Sequence, residues 1–396
     1  MAITAADAAE RKSVFPEGVK PVGPYSPGIL AGDFLYVSGQ GARDANNRFA
    51  ESAEDRVRQC LNNVKAIVVA AGLTMEHVVY MQVYLHPTTS YEVMNKIWSE
   101  FFPKNPPARA TLGVHRMPTE TPVEINAVAV RQLSKKKAIT ADWYPKNMNI
   151  APAIDAGDRV FVSGFLGRDR NTGQIPEDPA AQVQSAMDSI RQILAAAGLD
   201  FRHLVFVNPY HTKAVPRRVL DEVYAKHFEF GNTPARATIE VDHLPLGANI
   251  ELTGVAVRDL AQRRAVRPKN MPPSATASPC VFAADTLYCS AKAGFIPGPN
   301  GGIYADTVED QVRMTFRNLL DGLEEAGLGF SQVVASNVYV DNIDDFAKMN
   351  GVYARYYQGG APPARTTVAP LKPVERVRTA AGLFPKLEEI SLIAVR

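Results

Sequence analysis

The sequence predicts an α+β protein in which one domain of about 130 residues occurs three times in tandem. Three observations predict it. LYVSGQGA at 35–42 returns as VFVSGFLG at 160–167 and as LYCSAKAG at 287–294. NPPARATLGV at 105–114 returns as NTPARATIEV at 232–241 and as APPARTTVAP at 361–370. Between each pair lies a helix-like run closing on Ala-Gly-Leu: AIVVAAGL, QILAAAGL and GLEEAGL. The arginines of the repeated PAR step fall at 109, 236 and 365, a spacing of domain size rather than that of a solenoid unit. The expected domains are 1–134, 135–262 and 263–396.

In the first copy the stretch before Phe34 reads as a loop. Phe34 to Ser38 is an apolar strand, and Gly39-Gln40-Gly41 turns the chain. Asp55 to Ala71 carries a helical stripe of Val57, Leu61, Val64, Ile67 and Val68, stopped by Gly72. Val78 to Leu85 reads as a strand and Tyr91 to Phe102 as an amphipathic helix closed by Pro103. Ala108 to Val114 and Val123 to Val130 are strands separated by a turn. The other copies repeat this order. Two strands per copy are almost continuously apolar, which implies burial on both faces. Two helices cover one face of a mixed sheet, so the other face needs a partner. Three linked copies can supply it for one another, as a closed pseudo-trimer within one chain.

The bulk composition excludes several classes. Forty-three basic and 41 acidic residues leave a net charge of +2, with no general pull toward nucleic acid or membrane. The cationic clusters Lys135–Lys136–Lys137 and Arg263–Arg264 stand at the copy junctions and read as solvated linker charge. Cys60, Cys280 and Cys289 form no CxxC pair, which argues against a disulfide framework or zinc site. The start of the chain has no signal-peptide pattern, and no apolar run approaches membrane-spanning length, so a cytoplasmic location is expected. Seven histidines lack HExxH or HxH spacing, and no metal is expected. Ser38, Ser163 and Ser290 follow strands without a GxSxG elbow, so a serine triad is not expected.

GPYSPG (23–28), VSGQ (37–40), Asn95, PPARAT (106–111) and VEINAVAV (123–130) occur together in one copy. With these residues the sequence resembles the reactive intermediate deaminase family (RidA-like, also called YjgF or L-PSP), in all three copies. The resemblance implies chorismate-mutase-like α+β domains and trimers with clefts between subunits. It also implies hydrolysis of imine or enamine forms of small carboxylic acids to a keto acid and ammonia, without a cofactor. Physical chemistry supports such roles. Arg109 can hold a carboxylate through two parallel charge-assisted bonds, and Thr111 shares its sheet face. Glu124 lies in an apolar run. Burial would raise its pKa and a nearby arginine would lower it; either way it could orient a water and shuttle a proton. Tyr25 would close the pocket, Gly39 would help hold the water, and Asn95 would shape the cleft. As an alternative without chemistry, Glu124 is simply the ion-pair partner of Arg109.

The copies share Arg109, Thr111 and Glu124 as Arg236, Thr238 and Glu251, and as Arg365, Thr367 and Glu389. They differ elsewhere. Ile150 and Ala277 replace Tyr25, Ala291 replaces Gly39, and Asp221 replaces Asn95. Copy three lengthens one turn, Leu371 to Lys386, which could lie over a neighbouring cleft. Equivalence of the three sites is therefore in doubt, and which copies pair to form each cleft stays open, as does further self-association of the fused ring. Rival readings are a cyclic-amide hydrolase, for which only Ser290 and Lys292 offer a Ser-Lys pair, and a non-catalytic metabolite-binding or protein-protective module. An RNA-cleaving translation inhibitor is weakest, given the near-neutral charge.

Overall fold

The computed structural model describes residues 11–145, 148–269, 271–297 and 302–396. In copy one the strands are β1 (Arg11–Val14), β2 (Gly28–Ala31), β3 (Phe34–Gln40), β4 (Val78–Leu85), β5 (Ala108–Gly113) and β6 (Val123–Val130), with helices α1 (Ala53–Ala70) and α2 (Tyr91–Phe101). Ser52 caps α1, its hydroxyl accepting from the Asp55 N–H, and Ser90 caps α2. The sheet order is β1-β2-β3-β6-β4-β5. β4 and β5 are parallel, joined by α2, while β6 runs antiparallel to β4.

Copy two repeats this with β7 (Lys137–Ile139), β8 (Ala153–Asp155), β9 (Arg159–Leu166), α3 (Pro179–Ala196), β10 (Leu204–His211), α4 (Arg217–Ala225), β11 (Ala235–Arg236), β12 (Ile239–Glu240) and β13 (Ile250–Val257). Copy three has β14 (Arg263–Val266), β15 (Cys280–Ala283), β16 (Thr286–Lys292), a small hairpin of β17 (Phe295–Ile296) and β18 (Ile303–Tyr304), and α5 (Val308–Glu325). It continues with β19 (Val333–Val340), α6 (Phe346–Tyr353), β20 (Ala364–Val368) and β21 (Glu388–Val395).

Each sheet has two cores. On the helix side of copy one, Val57, Leu61, Val64, Met94 and Trp98 pack on Val37, Met81 and Ile125. The other faces pack on one another. One shared cluster holds Phe34 and Tyr36 of copy one, Ile154 and Phe161 of copy two, and Val334 and Val395 of copy three. A second joins Tyr84, Tyr210 and Tyr339, one from each copy. Contacts run from β5 to β9, from β11 to β16 and from β20 to β3, a cyclic pattern in which each sheet touches the other two. Where the three first long strands converge, the equivalent positions hold Phe34, Arg159 and Thr286. Arg159 is 1% exposed, lies over the Phe34 ring at 4.5 Å and pairs with Asp285 at 2.7 Å.

Four expectations are corrected. The lead-in to each copy is not loop: β1 and β2 pair antiparallel, as do β7 with β8 and β14 with β15. The cationic clusters are not free linker charge but docking groups. Lys136 Nζ donates to the Glu76 and Asn105 carbonyls, and Arg263 donates to the Leu204 and Asn232 carbonyls. Arg11 does the same across the noncovalent seam, to Val333 O and Ala361 O. Cys280 and Cys289 are joined by a disulfide, because the β15–β16 register sets them directly opposite. Finally, Arg109 and Glu124 are not ion-pair partners, since β4 runs between β5 and β6.

Candidate functional site

Because β4 separates them, Arg109 and Glu124 serve different clefts. Arg109 and Arg365 instead each face the glutamate of another copy, across the cyclic contacts just described. Arg365 and Thr367 on β20 meet Glu124, Gly39 and Tyr25 of copy one. Arg109 and Thr111 on β5 meet Glu251 and Gly164 of copy two. Thr238, just after Arg236, shares a third cleft with Glu389 of copy three. The residues grouped in copy one are thereby divided between two clefts: Tyr25 and Glu124 lie opposite Arg365, while Asn95 lies beside Arg109.

The first two clefts are built alike. Arg109 and Arg365 are each 3% exposed. Arg109 donates one bond to Asn95 Oδ1 at 2.5 Å and lies over the rings of Trp98 and Tyr91. Among the described residues its Nη1 finds no partner, and neither Nη of Arg365 does. Buried guanidinium groups with open donors are costly unless a ligand completes them. Arg365 lies over Tyr353, Tyr25 and Phe346. A Cβ added at Gly23 would come within 2.9 Å of Arg365 Nη2, so the loop can pass the guanidinium there only without a side chain.

Opposite each arginine is a buried carboxyl. Burial pushes Glu124 up to about 8, against the lowering pull of the Thr367 N–H and of Arg365. Burial raises Glu251 to about 8 as well, opposed by the Thr111 N–H, which donates to Glu251 Oε1 at 3.3 Å, and by Arg109. The glycine of each VSG turn makes room for this group. A Cβ on Gly39 would fall 2.1 Å from Glu124 Oε1, and one on Gly164 would fall 1.7 Å from Glu251 Oε1. A proton donor at neutral pH thus stands beside a carboxylate anchor in both places, an arrangement suited to proton transfer on a small anionic ligand.

The third cleft is rewired. Ala291 supplies the Cβ that the two glycines omit, and Glu389 instead pairs with Lys386 at 2.5 Å. Asp221 stands where Asn95 and Asn350 stand, and its carboxylate lies 2.6 Å from Arg236 Nη2. The contact is a charge pair rather than an aligned hydrogen bond. It supplies internally the negative charge that a ligand would bring. The lengthened turn of copy three does border this cleft, with Leu371, Lys372 and Val374 beside Thr238. It is tied down by the Val374 N–H donating to Asp341 and by Arg376 against Asp341 and Asp345.

The serines of the VSG turns are struts. Ser163 Oγ accepts the Arg109 backbone N–H at 2.9 Å and donates to Ala151 O, and Ser290 does the same for Arg236 and Ser278 O. Sequence reasoning missed several lining residues. Trp143, Tyr144 and Phe165 wall the Arg109 cleft, and no repeat marks them because their counterparts differ in type. It also missed Glu388, a third buried carboxyl raised to about 8 mainly by burial. Glu388 sits one residue before the cleft position, so it points to the helix side and accepts from Thr315 Oγ1. No group of three or more metal-ligating side chains occurs among the described residues. No helix there is long and apolar enough to cross a membrane.

Known proteins match this chain one copy at a time. A RutC family protein of Saccharolobus solfataricus is 38% identical over 112 residues, 28% of this chain and 89% of the relative. A 2-iminobutanoate/2-iminopropanoate deaminase of Dermatophagoides farinae is 32% identical over 117 residues, 29% of this chain and 91% of its own length. Among solved structures, the E. coli YjgF gene product is 32% identical and covers 31% of the chain and 99% of its own, with a TM-score of 0.29. E. coli TdcF with bound serine is 31% identical, with the same shares and the same TM-score. The family model described as Endoribonuclease L-PSP matches residues 16–131, 146–258 and 268–378. With three matches that take in most of its length, the chain belongs to the L-PSP family, the RidA-like proteins, as three tandem copies.

Proposed function

We propose that the chain is a cofactor-free hydrolytic deaminase of imine or enamine forms of small carboxylic acids, working in the clefts of Arg365 and Arg109 within an intramolecular pseudo-trimer whose copies are residues 1–134, 135–262 and 263–396. One observation carries the reading: a buried arginine with open donors faces a buried carboxyl raised to about 8, at two copy junctions. The name of the Dermatophagoides farinae relative supports it.

In the Arg365 cleft the substrate carboxylate takes the open Nη donors. The protonated Glu124 gives its proton to the imine nitrogen, which makes the carbon electrophilic. Water, held near Gly39 and the Thr367 backbone, adds to that carbon while the Glu124 carboxylate takes the proton it sheds. The same carboxyl then protonates the amine. The C–N bond breaks as the hydroxyl proton returns to Glu124, so imine and water leave as keto acid and ammonia. Tyr25 and Asn350 shape this cleft. Arg109, Thr111, Glu251 and Asn95 repeat the scheme in the second cleft. The cleft of Arg236, Thr238 and Glu389 is non-catalytic in this reading, because Asp221 occupies the arginine.

The test is ammonia release from 2-iminopropanoate generated in situ. Loss of a hydrogen bond to a charged group is worth roughly 1.5–3 kcal/mol, or about 10- to 150-fold. Arg365→Ala and Arg109→Ala together should lower kcat/KM by at least that much, and Arg236→Ala should change it little. An unchanged rate in the double variant sinks the mechanism.

A further inference from the structure

We infer that the two arginine clefts divide the substrate range: the Arg109 cleft takes 2-imino acids with an aromatic or long apolar side chain, and the Arg365 cleft takes short ones. The inference rests on the deaminase reading above and adds which acid each cleft takes. The chemistry at the two cleft floors is the same, but their walls are not. The cavity over Arg109 is about 230 Å³, and that over Arg365 about 60 Å³.

Replacements at matching positions account for the difference. Ile150 stands where Tyr25 reaches over the guanidinium, which removes a ring and opens space. Phe165 and Leu166 follow Gly164 where Gln40 and Gly41 follow Gly39. Leu246 matches Thr119, both at φ 58° in the same tight turn. The lead-in of copy two adds Trp143 and Tyr144. Their rings lie 5.8 and 6.2 Å from Phe165 and 6.0 Å from each other, in tilted and edge-on arrangements that form one aromatic wall. The Arg365 cleft offers Thr119, Thr121 and Tyr25 in their place. A phenyl or long aliphatic side chain anchored through its carboxylate on Arg109 would bury apolar surface against that wall, whereas on Arg365 it would meet the Tyr25 ring.

The chain supplies its own reporter. It has two tryptophans, and both belong to the Arg109 cleft: Trp98 lies 4.6 Å from the guanidinium and Trp143 is in the wall. The probes are the stable keto acids 3-phenyl-2-oxopropanoate and 2-oxobutanoate, titrated into the full chain by tryptophan emission and by calorimetry. The aromatic acid should perturb emission at least tenfold more tightly than the short one. Arg109→Met should abolish that signal. Ile150→Tyr, which restores the ring of copy one and leaves the arginine in place, should weaken the aromatic acid about tenfold relative to the short one. In turnover, the ratio of rates on the imines of phenylalanine and alanine should fall at least tenfold in Arg109→Met and rise in Arg365→Met. Equal affinities of the two acids by emission, or one unchanged rate ratio in both arginine variants, overturns the division. Absence of ammonia from either imine with wild-type protein, with the binding difference intact, overturns the deaminase reading instead.

Discussion

A glycine and a carboxyl set the state of each cleft. Gly39 and Gly164 leave the volume that Glu124 and Glu251 fill, while Ala291 denies it to Glu389. Gly39→Ala should therefore drive Glu124 from its seat and cost the Arg365 cleft its turnover, measurable on the alanine-derived imine in an Arg109→Met background. Conversely, Ala291→Gly with Asp221→Asn should give the third cleft measurable affinity for a short keto acid by calorimetry. The raised carboxyls also predict a pH dependence. Glu124 and Glu251 titrate near 8 in the fold and at the usual 4.5 when unfolded. The stability they contribute is full below 4.5 and is lost as pH rises through about 8. Urea melts across that window should slope downward, and Glu124→Gln with Glu251→Gln should flatten them. Turnover that begins with the protonated carboxyl should fall above pH 8. Arg109, Arg236 and Arg365, with their glutamates, were legible because a motif written three times stands out. Their partners were not, since a motif shared by all copies carries no mark of which copy faces which. Asp221 was legible as a departure but not as an ion pair, which requires the α4–β11 geometry.

At the level of elements, the long strands and helices followed from periodicity, and Val78–Leu85 and Val123–Val130 have the expected bounds. The short strands that open each copy did not, because four residues such as RKSV or GILA are too few to display alternation. These openings matter for the clefts, since β8 and β15 lead through β9 and β16 into the turns whose serines hold the arginine strands. Ser163 ties β5 of copy one to β9 of copy two through the Arg109 N–H. Ser163→Ala leaves that buried donor without its partner, at a cost of about 1–3 kcal/mol. The expected outcome is a lower melting temperature together with a raised KM for the aromatic imine, because the strand that aims Arg109 loses its anchor. A lower melting temperature with KM unchanged would confine the serine to a stabilising role.

At the scale of the whole molecule, the apolar far faces of the sheets demanded partners, and that demand was readable in the doubly buried strands. The point where the three copies meet was not. It holds Phe34, Arg159 and Thr286, three residue types at one position of the repeat. The copies should therefore behave differently when alone. Residues 11–134 carry Phe34 there and expose Ile29, Tyr36 and Val79, so they should self-associate as trimers in sedimentation equilibrium. Residues 135–262 would bring three Arg159 guanidiniums together, each facing a neighbour's Asp158 at the position of Asp285, so they should close a weaker trimer that must bury ion pairs where Phe34 buries apolar surface. Equal behaviour of the two fragments would mean that the junction residue does not govern assembly.

The cross-copy clefts impose a timetable on the ribosome. Domains fold from the N-terminus as they emerge. The pocket shared by the first two copies can close while the last third of the polypeptide is still being made. The pocket that joins Glu124 to Arg365 must wait until the final strands arrive, and a nascent chain halted early would carry the aromatic-walled cavity without its smaller counterpart.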